Sequence, residues 1–519
     1  MKKFISLLLS AVVVFSAAAT INISASADEQ KTDFGYAILS NNTAAVSYYD
    51  GNSKSVSIPA RIDGYTVTAI YSEAFAYNQD IENVVIPTSV TSIGSYAFYN
   101  CKGLKSVTIP ESVTSIRENV FQYCESLANV TLPSGLSEIE DYLFDGCKML
   151  SKVNIPDKVK SIGYASFREC ELLHEISMPD TVRTLGKRAF KSCKSLASAK
   201  LSSEIKQIPQ ECFYDTVALE EINISKNVGE IEKEAFYNSG LKKLSVSRYL
   251  KKLGKAAVDS CKKLKSITVD KKNKVYSSAK GVLFNKKKTK LLTYPIAKAA
   301  KNYTVPKSVT TIKDYAFSYN QKLSTLKLNK GLKTIEHDAF IESGIKTVTF
   351  PKTLKTIGYY AFNNCDNLKS VKLPTSVTKV GYNAFNGCDN LKSVDFKGSK
   401  SLVTENDLFS DCKSLKEVVY PVTKSGQYNM FYNCPKLSKV TISTNVKKIY
   451  SQDFAECPAL KKITIPSSVK KIGKHALGYI NYYSGDFDKN FDLVIRGKKN
   501  SAAHKYAKDN DFDFKATKK

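Results

Sequence analysis

The stretch CKGLKSVTIPESVTSIRENVFQYC, Cys101 to Cys124, decides how the rest of the chain is read. Its two cysteines stand 23 residues apart, and Cys147, Cys170 and Cys193 continue the count. Working outward on the phenylalanine gives Phe75, Phe98, Phe121, Phe144, Phe167, Phe190, Phe213 and Phe236 at the same interval, then Val258 in the slot. After a gap the series resumes with Phe317, Phe340, Phe362, Phe385, Phe409, Phe431, Phe454 and Leu477, making 17 units. Each unit reads L-x-x-V-x-I-P-x-x-V-x-x-I-x(4)-F-x-x-C, as in Leu104, Val107, Ile109, Pro110, Val113, Ile116, Phe121 and Cys124. Repeats of this length signal a solenoid.

One coil follows from elementary geometry. Val107 and Ile109 alternate with Thr108, so one side of a short strand is buried. Pro110 lacks an N–H and ends that strand. A second short extended stretch carries Val113 and Ile116, and the turn RENVF returns Phe121 to the axis as the large filler. No coil can bury these residues alone, so neighbours must stack at roughly 4.8 Å. Seventeen such layers would extend about 80 Å, with stability a nearest-neighbour sum.

These units resemble the BspA-type leucine-rich repeat family of bacterial surface and secreted proteins, which also read L-x-x-V-x-I-P followed by I-x-x-x-x-F and often a cysteine. The resemblance covers nearly all of the chain after its first residues. It implies a β-rich leucine-rich-repeat solenoid of stacked coils with a strand-lined sheet, and adhesion or ligand binding outside the cell with no activity common to all members. The asparagine of the general leucine-rich pattern is absent: Ser112 and Gly135 stand eight residues after Leu104 and Leu127. An asparagine ladder is therefore not expected.

The thiols are explained by their slot. Eleven of the 12 cysteines stand three residues after the phenylalanine position, the exception being Cys212. Asn78, Thr216, Ser239, Asn320, Ser343 and Ile480 fill the same slot elsewhere, so it wants a small, mostly polar side chain. Stacked copies point in parallel, with Cβ atoms farther apart than the ~3.8 Å of a disulfide. Buried free thiols acting as compact fillers are expected, with an exported disulfide framework as the rival. There is no C-x-x-C pair for zinc.

The ends and the gap differ from the middle. MKKFISLLLSAVVVFSAAATINISASA, residues 1–27, reads as an export signal cleaved after Ala27. No later run is long and apolar enough to span a membrane, and no lipid-anchor cysteine or sorting tail is evident, so a secreted chain, held at the cell surface only non-covalently if at all, is expected. Residues 28–80 form an N-terminal hairpin cap and first coil, with repeats over 81–263 and 323–477. Residues 478–519 form a strand-helix-strand cap, in which Asn500 or Ser501 would cap the helix. Residues 264–322 hold one repeat plus an insert of 36 residues, in which GVLFNKKKTKLLTYP suggests a hairpin around Gly281, Phe284 and Tyr294. It should pack as a bulge on the solenoid edge, with a projecting binding finger as the alternative.

Composition, 43% hydrophobic with 24 Gly and 15 Pro in 519 residues, excludes a disordered chain. Charge is divided. The formal net charge of +28 becomes +26 without Lys2 and Lys3, of which residues 28–240 carry −8 and residues 241–519 carry +34. Lys265, Lys346, Lys369, Lys392, Lys416 and Lys461 follow the leading Leu or Ile, and Lys251, Lys333, Lys355, Lys447 and Lys470 follow the Val or Leu of the second stretch. Stacking turns them into rows, and Lys286, Lys287 and Lys288 add a basic hairpin tip. A row of like charges suits water or a polyanion. With only Arg248 and Arg496 beyond residue 240, the arginine fork of nucleic-acid recognition is missing, so anionic cell-wall polymers or sulfated glycans are the better partners.

No enzyme is expected, and no cofactor or metal. His174, His337, His475 and His504 fall at unrelated positions and read as solvated residues, and no nucleophile elbow or phosphate loop occurs. DFDKNFD, 486–492, mimics a calcium loop but lacks its glycine and terminal glutamate. Tyr96, Tyr99, Tyr123, Tyr142, Tyr315, Tyr360 and Tyr432 recur near the phenylalanine slot, where shielding of the turns competes with a glycan-binding strip. A monomeric binding protein for extracellular protein or glycan ligands is the resulting expectation, with a glycan-binding accessory protein second and an unrecognised enzyme third.

Overall fold

The structure, a computed structural model, describes residues 33–396, 402–425, 428–481, 487–489 and 492–517. The expected export signal lies outside the described residues, as do Asp486, Asn490 and Phe491 of the acidic loop. The chain forms two compact units, one ending at Leu196 and the other beginning at Ala197. Both are β-solenoids.

In the first unit the strand Ser106–Thr108 pairs in parallel with Asn83–Val85 on one side and Asn129–Val130 on the other, so Val107 stacks in register on Val84 and Val130. Its burial alternates as the sequence requires, Val107 in and its neighbours out. Pro110 ends the strand and its carbonyl accepts the N–H of Val113 at 3.1 Å. The second stretch, Ser115–Ile116, pairs in parallel with Ser92–Ile93. Phe121 is fully buried. Its ring lies face to face with Phe98 and Phe144, centroids 5.6 Å away on either side. The ladder runs from Phe75 to Phe190 at 4.8–5.6 Å. In the second unit it runs from Phe317 to Phe454 at 4.7–5.6 Å.

The turn carrying each phenylalanine has a geometry that the sequence pattern does not announce. Around Phe98, the N–H groups of Tyr96, Phe98 and Asn100 donate to the carbonyls of Glu118, Val120 and Gln122 in the next coil at 3.1, 3.0 and 2.7 Å. Tyr96 and Asn100 reach this arrangement with φ of 60° and 56°. A left-handed φ outside glycine costs on the order of 1 kcal/mol. Three backbone hydrogen bonds per turn, otherwise unsatisfied, offset that cost.

The cysteine slot proves to be a donor position as well as a small one. Sγ of Cys101, Cys124 and Cys147 donates to the carbonyls of Phe75, Phe98 and Phe121 in the preceding coil at 3.0, 3.1 and 3.0 Å. The same phenylalanine carbonyl accepts its own coil's cysteine N–H, as Phe98 does from Cys101 at 3.3 Å. Asn78 and Asn320 donate from Nδ2 to Gly51 and Pro295, each at 3.1 Å. Cys, Asn, Ser and Thr all carry a donor, which accounts for every occupant except Ile480, although Thr216 donates to Phe213 of its own coil and Ser239 and Ser343 pair with the Sγ of Cys261 and Cys365. All 12 cysteines are buried and unbridged. Burial raises the thiol of Cys101 to about 12.

The caps close both ends. Phe34–Ile38 and Ala44–Tyr49 make the expected antiparallel hairpin, and Tyr49 stacks toward Phe75 at 5.5 Å. At the other end Val494–Gly497 pairs with Lys462–Ile465 and Asp513–Ala516, and one helix, Ala502–Asp509, lies between the last two strands. Tyr506 Oη serves the last coil by accepting from the N–H of Leu477 and donating to its carbonyl, both at 3.1 Å. Ser501 is the N-cap residue, and its carbonyl accepts the first helical N–H from Lys505 at 3.0 Å, but its side chain makes no capping bond.

The insert corrects the expectation of an edge bulge or a finger. Tyr276–Ala279, Val282–Asn285 and Lys290–Thr293 form an antiparallel sheet, and the last of these pairs in parallel with Thr311–Ile312. Val282, Leu283, Phe284, Leu291 and Tyr294 are 0–1% exposed. The insert is therefore a layer of the stack itself. Tyr294 takes the phenylalanine position, its ring 5.0 Å from Phe317, and its N–H donates to Ala316 at 2.7 Å as a phenylalanine N–H would.

Candidate polyanion-binding surface

The lysine rows arise because each follows a buried leucine or isoleucine and must point outward. Leu368, Leu391 and Leu415 are fully buried, and the lysines after them are exposed. Backbone bonds fix the register: Lys369 N–H donates to Lys346 at 3.2 Å, Lys392 to Lys369 at 2.9 Å and Lys416 to Lys392 at 2.9 Å. Four lysines thus stand on four consecutive coils at about 4.8 Å per step. Such spacing lies inside the ~8 Å screening length of physiological salt. None of the four has a carboxylate within ion-pair distance among the described residues. The neighbouring Asp395 and Glu417 face Lys372 at 3.9 Å and Lys439 at 3.3 Å.

The other candidates are not brought into this row. Lys461 is separated from Lys416 by the coil of Ser438 and is paired with Asp492. Lys265 continues a shorter run behind Lys242, at 2.9 Å, in which Lys242 is held by Glu220. Lys286 is exposed, yet its ammonium donates to the carbonyls of Lys271 and Asn273. Lys287 and Lys288 are exposed at the hairpin tip. The second row is broken too: Lys355 follows Lys333 and Lys470 follows Lys447, each at 2.8 Å, but Thr378 and Val403 occupy the coils after Lys355.

Lysines of the first unit are arranged differently. Lys54 and Lys105 share Glu82 at 3.0 and 2.7 Å, and Lys102 and Lys148 share Glu125 at 3.4 and 2.8 Å. Hydrogen bonds from the paired lysines pull the Glu82 carboxyl below its usual range. Charge there is neutralised across coils, which leaves little field for a polyanion.

The tyrosines near the first unit's turns pack edge to face: Tyr77 with Tyr99 at 5.2 Å and Tyr99 with Tyr123 at 5.8 Å. Rings at these angles cover the turns and offer no row of parallel platforms. Of the histidines, His337, His475 and His504 rest against Tyr359, Tyr479 and Phe514 at 4.4–4.5 Å, so they are ring-packed where solvation was expected. His174 is exposed.

The repeat, the strand register and the phenylalanine ladder agree with the pattern of BspA-type leucine-rich repeat regions, which matches residues 68–197, 162–287, 296–416 and 402–494. The chain belongs to the BspA-type leucine-rich repeat family. No curated protein matches the sequence. Among solved structures, a leucine-rich cell surface protein from Faecalibacterium prausnitzii is similar over 78% of this chain and 96% of its own, with 24% identity and a TM-score of 0.51. A leucine-rich repeat protein from Eubacterium ventriosum aligns over 90% and 96%, with 22% identity and a TM-score of 0.42. The pneumococcal vaccine antigen PcpA aligns over 95% and 98%, with 21% identity and a TM-score of 0.41. The first of these likenesses supports the fold. Among the described residues no helix is long and apolar enough to cross a membrane.

Proposed function

We propose that this BspA-type protein is a non-enzymatic secreted or cell-surface binding protein whose repeats meet extracellular ligands, and whose basic second unit holds a repetitive polyanion such as an anionic wall polymer or a sulfated glycan. The observation that carries the reading is the uninterrupted row of Lys346, Lys369, Lys392 and Lys416, exposed and without carboxylate partners among the described residues. A linear polyanion with charges every few ångströms can neutralise such a row and release its counterions. The competing use of these lysines is to keep a long repeat protein in solution.

Full-length protein with all four lysines changed to glutamine separates the two. The native chain should be retained on immobilised heparin and on isolated cell walls at low salt and released by sodium chloride. By analogy with nucleic acid, losing four contacts should flatten the slope of log affinity against log salt by about 3. Retention unchanged by the quadruple substitution would refute the proposal.

A further inference from the structure

In regular coils each turn donates three N–H groups to the next coil, and this ladder is interrupted at Val258. The N–H groups of Glu234, Phe236 and Asn238 still reach Lys255, Ala257 and Asp259. The next set does not continue: Ala256 and Val258 N–H have no acceptor among the described residues. The cause is the inserted layer, which supplies Tyr294 to the core but no turn around it. A slot of about 400 Å³ is left between the Val258 turn, Leu292 and Thr293 of the insert, and Tyr315 of the following coil.

One side chain within this slot is out of place in a structural gap. Asp259 is 7% exposed, and while its Oδ1 accepts from the Ser318 hydroxyl across the gap, its Oδ2 has no partner. Leaving a buried carboxylate oxygen unpaired costs on the order of 1–3 kcal/mol, and burial holds this carboxyl up at about 6. The remaining charges nearly cancel. Lys255 faces Asp314 at 3.9 Å and lies 5.1 Å from the Tyr315 ring centre, and Lys313 pairs with Glu336. Lys290 and Asp259 are left, of opposite sign.

The slot thus combines an unmet acceptor, two unmet backbone donors, an aromatic ring and aliphatic walls, with no excess of either charge. An ion would satisfy one half of this set. A hydroxyl donates and accepts at once, and a sugar ring carries several hydroxyls beside C–H faces that lie against aliphatic and tyrosine surface. We infer that the slot between the Val258 turn and the inserted layer is a binding site for a neutral saccharide, with Asp259 and the Ala256 and Val258 amides as its polar contacts. The volume suits one or two sugar residues.

The full chain is tested by saturation-transfer NMR and titration calorimetry with maltose, cellobiose and N,N′-diacetylchitobiose, with glycine and glutamate as zwitterionic and anionic probes. At least one disaccharide should bind with a Kd of about 1 mM or tighter, with little change on raising sodium chloride. Asp259→Asn should weaken it about tenfold, the worth of one buried hydrogen bond. Leu292→Trp, at a half-buried wall position, should abolish binding while melting stays native-like, which keeps the test decisive even if the Asp259→Asn variant fails to fold. Heparin retention should be unaffected by either change, so this test is independent of the lysine row. Absence of disaccharide binding, binding only of glycine or glutamate, or disaccharide binding that survives Leu292→Trp overturns the inference.

Discussion

Replacing Phe121 by alanine removes a ring that is fully buried and held between two others at 5.6 Å, with interplanar angles of 10° and 5°. Truncating a buried phenylalanine costs about 3–5 kcal/mol, the spread reflecting how far the site can collapse. Collapse is opposed here. Phe98 N–H to Val120 and Phe121 N–H to Leu143, each at 3.0 Å, hold the flanking coils at their spacing, so closing the gap would break turn bonds on both sides. The upper part of the range is expected. In a repeat protein the loss is felt by nearest neighbours and fades within a few coils. Hydrogen exchange followed by mass spectrometry should show protection falling about 1000- to 5000-fold in peptides around Phe98, Phe121 and Phe144. Peptides around Phe362 and Phe385 should keep their native rates. Equal loss from Phe98 to Phe454 would refute nearest-neighbour stability, and a loss below about tenfold at Phe121 itself would show that the cavity closes.

Cys124→Ser should be tolerated and Cys124→Ala should destabilise by about 1–2 kcal/mol in urea melts, because alanine leaves the Phe98 carbonyl one donor short; equal stability of the two variants would contradict the donor role. Alkylation without reductant should label few thiols in the native protein and nearly all on unfolding, since all 12 are buried and unbridged; recovery of five or more disulfides would overturn that. The Asp259 carboxyl at about 6 lies above the 3.8 of a free carboxyl, with Asp338 and Glu234 also raising it and Ser318 and the Ser260 N–H opposing. The folded chain therefore holds this proton between about pH 4 and 6 when the unfolded chain has lost it, and the associated stability disappears as pH rises through 6. Asp259→Asn should accordingly gain about 2 kcal/mol on the native protein between pH 4.5 and 7.5 in chemical melts; a gap that stays constant with pH would mean that Asp259 does not titrate in this window.

The features legible in the sequence are those that repeat. Val107, Ile109, Pro110 and Phe121 specify a strand, its end and a core ring, and seventeen copies averaged away the ambiguity that one copy would carry. Less was legible where backbone, not side chains, does the bonding. Tyr96, Asn119, Ala165 and Glu169 share a left-handed φ with no common side-chain chemistry, because what selects the conformation is the N–H ladder to the next coil. The thiol slot lay between these cases: Cys, Asn, Ser and Thr were visible in one column, but the shared property could be recognised as a donor only once Phe75 and Phe98 carbonyls were seen to face them.

The insert teaches the sharper lesson about sites. Tyr294 stands 23 residues before Phe317, so the periodicity itself held the signal that the hairpin returns to the stack; grouping Tyr294 with the hairpin concealed it. A repeat protein can bury a foreign layer whenever that layer supplies one aromatic ring and one correctly directed N–H, as Tyr294 does toward Phe317 and Ala316. The layer need not supply the rest of the turn. What it omits remains as unmet backbone and side-chain hydrogen-bonding capacity gathered at Ala256, Val258 and Asp259; regular coils leave single side-chain atoms unpaired, such as Ser166 Oγ and Asn383 Oδ1, but keep the turn's N–H ladder, as Phe167 does toward Ala189 and Phe385 toward Leu408. The lysine row is the opposite kind of surface, made by the repeat's regularity and legible from spacing, whereas the slot is made by an exception and lies at the turn where the backbone ladder stops.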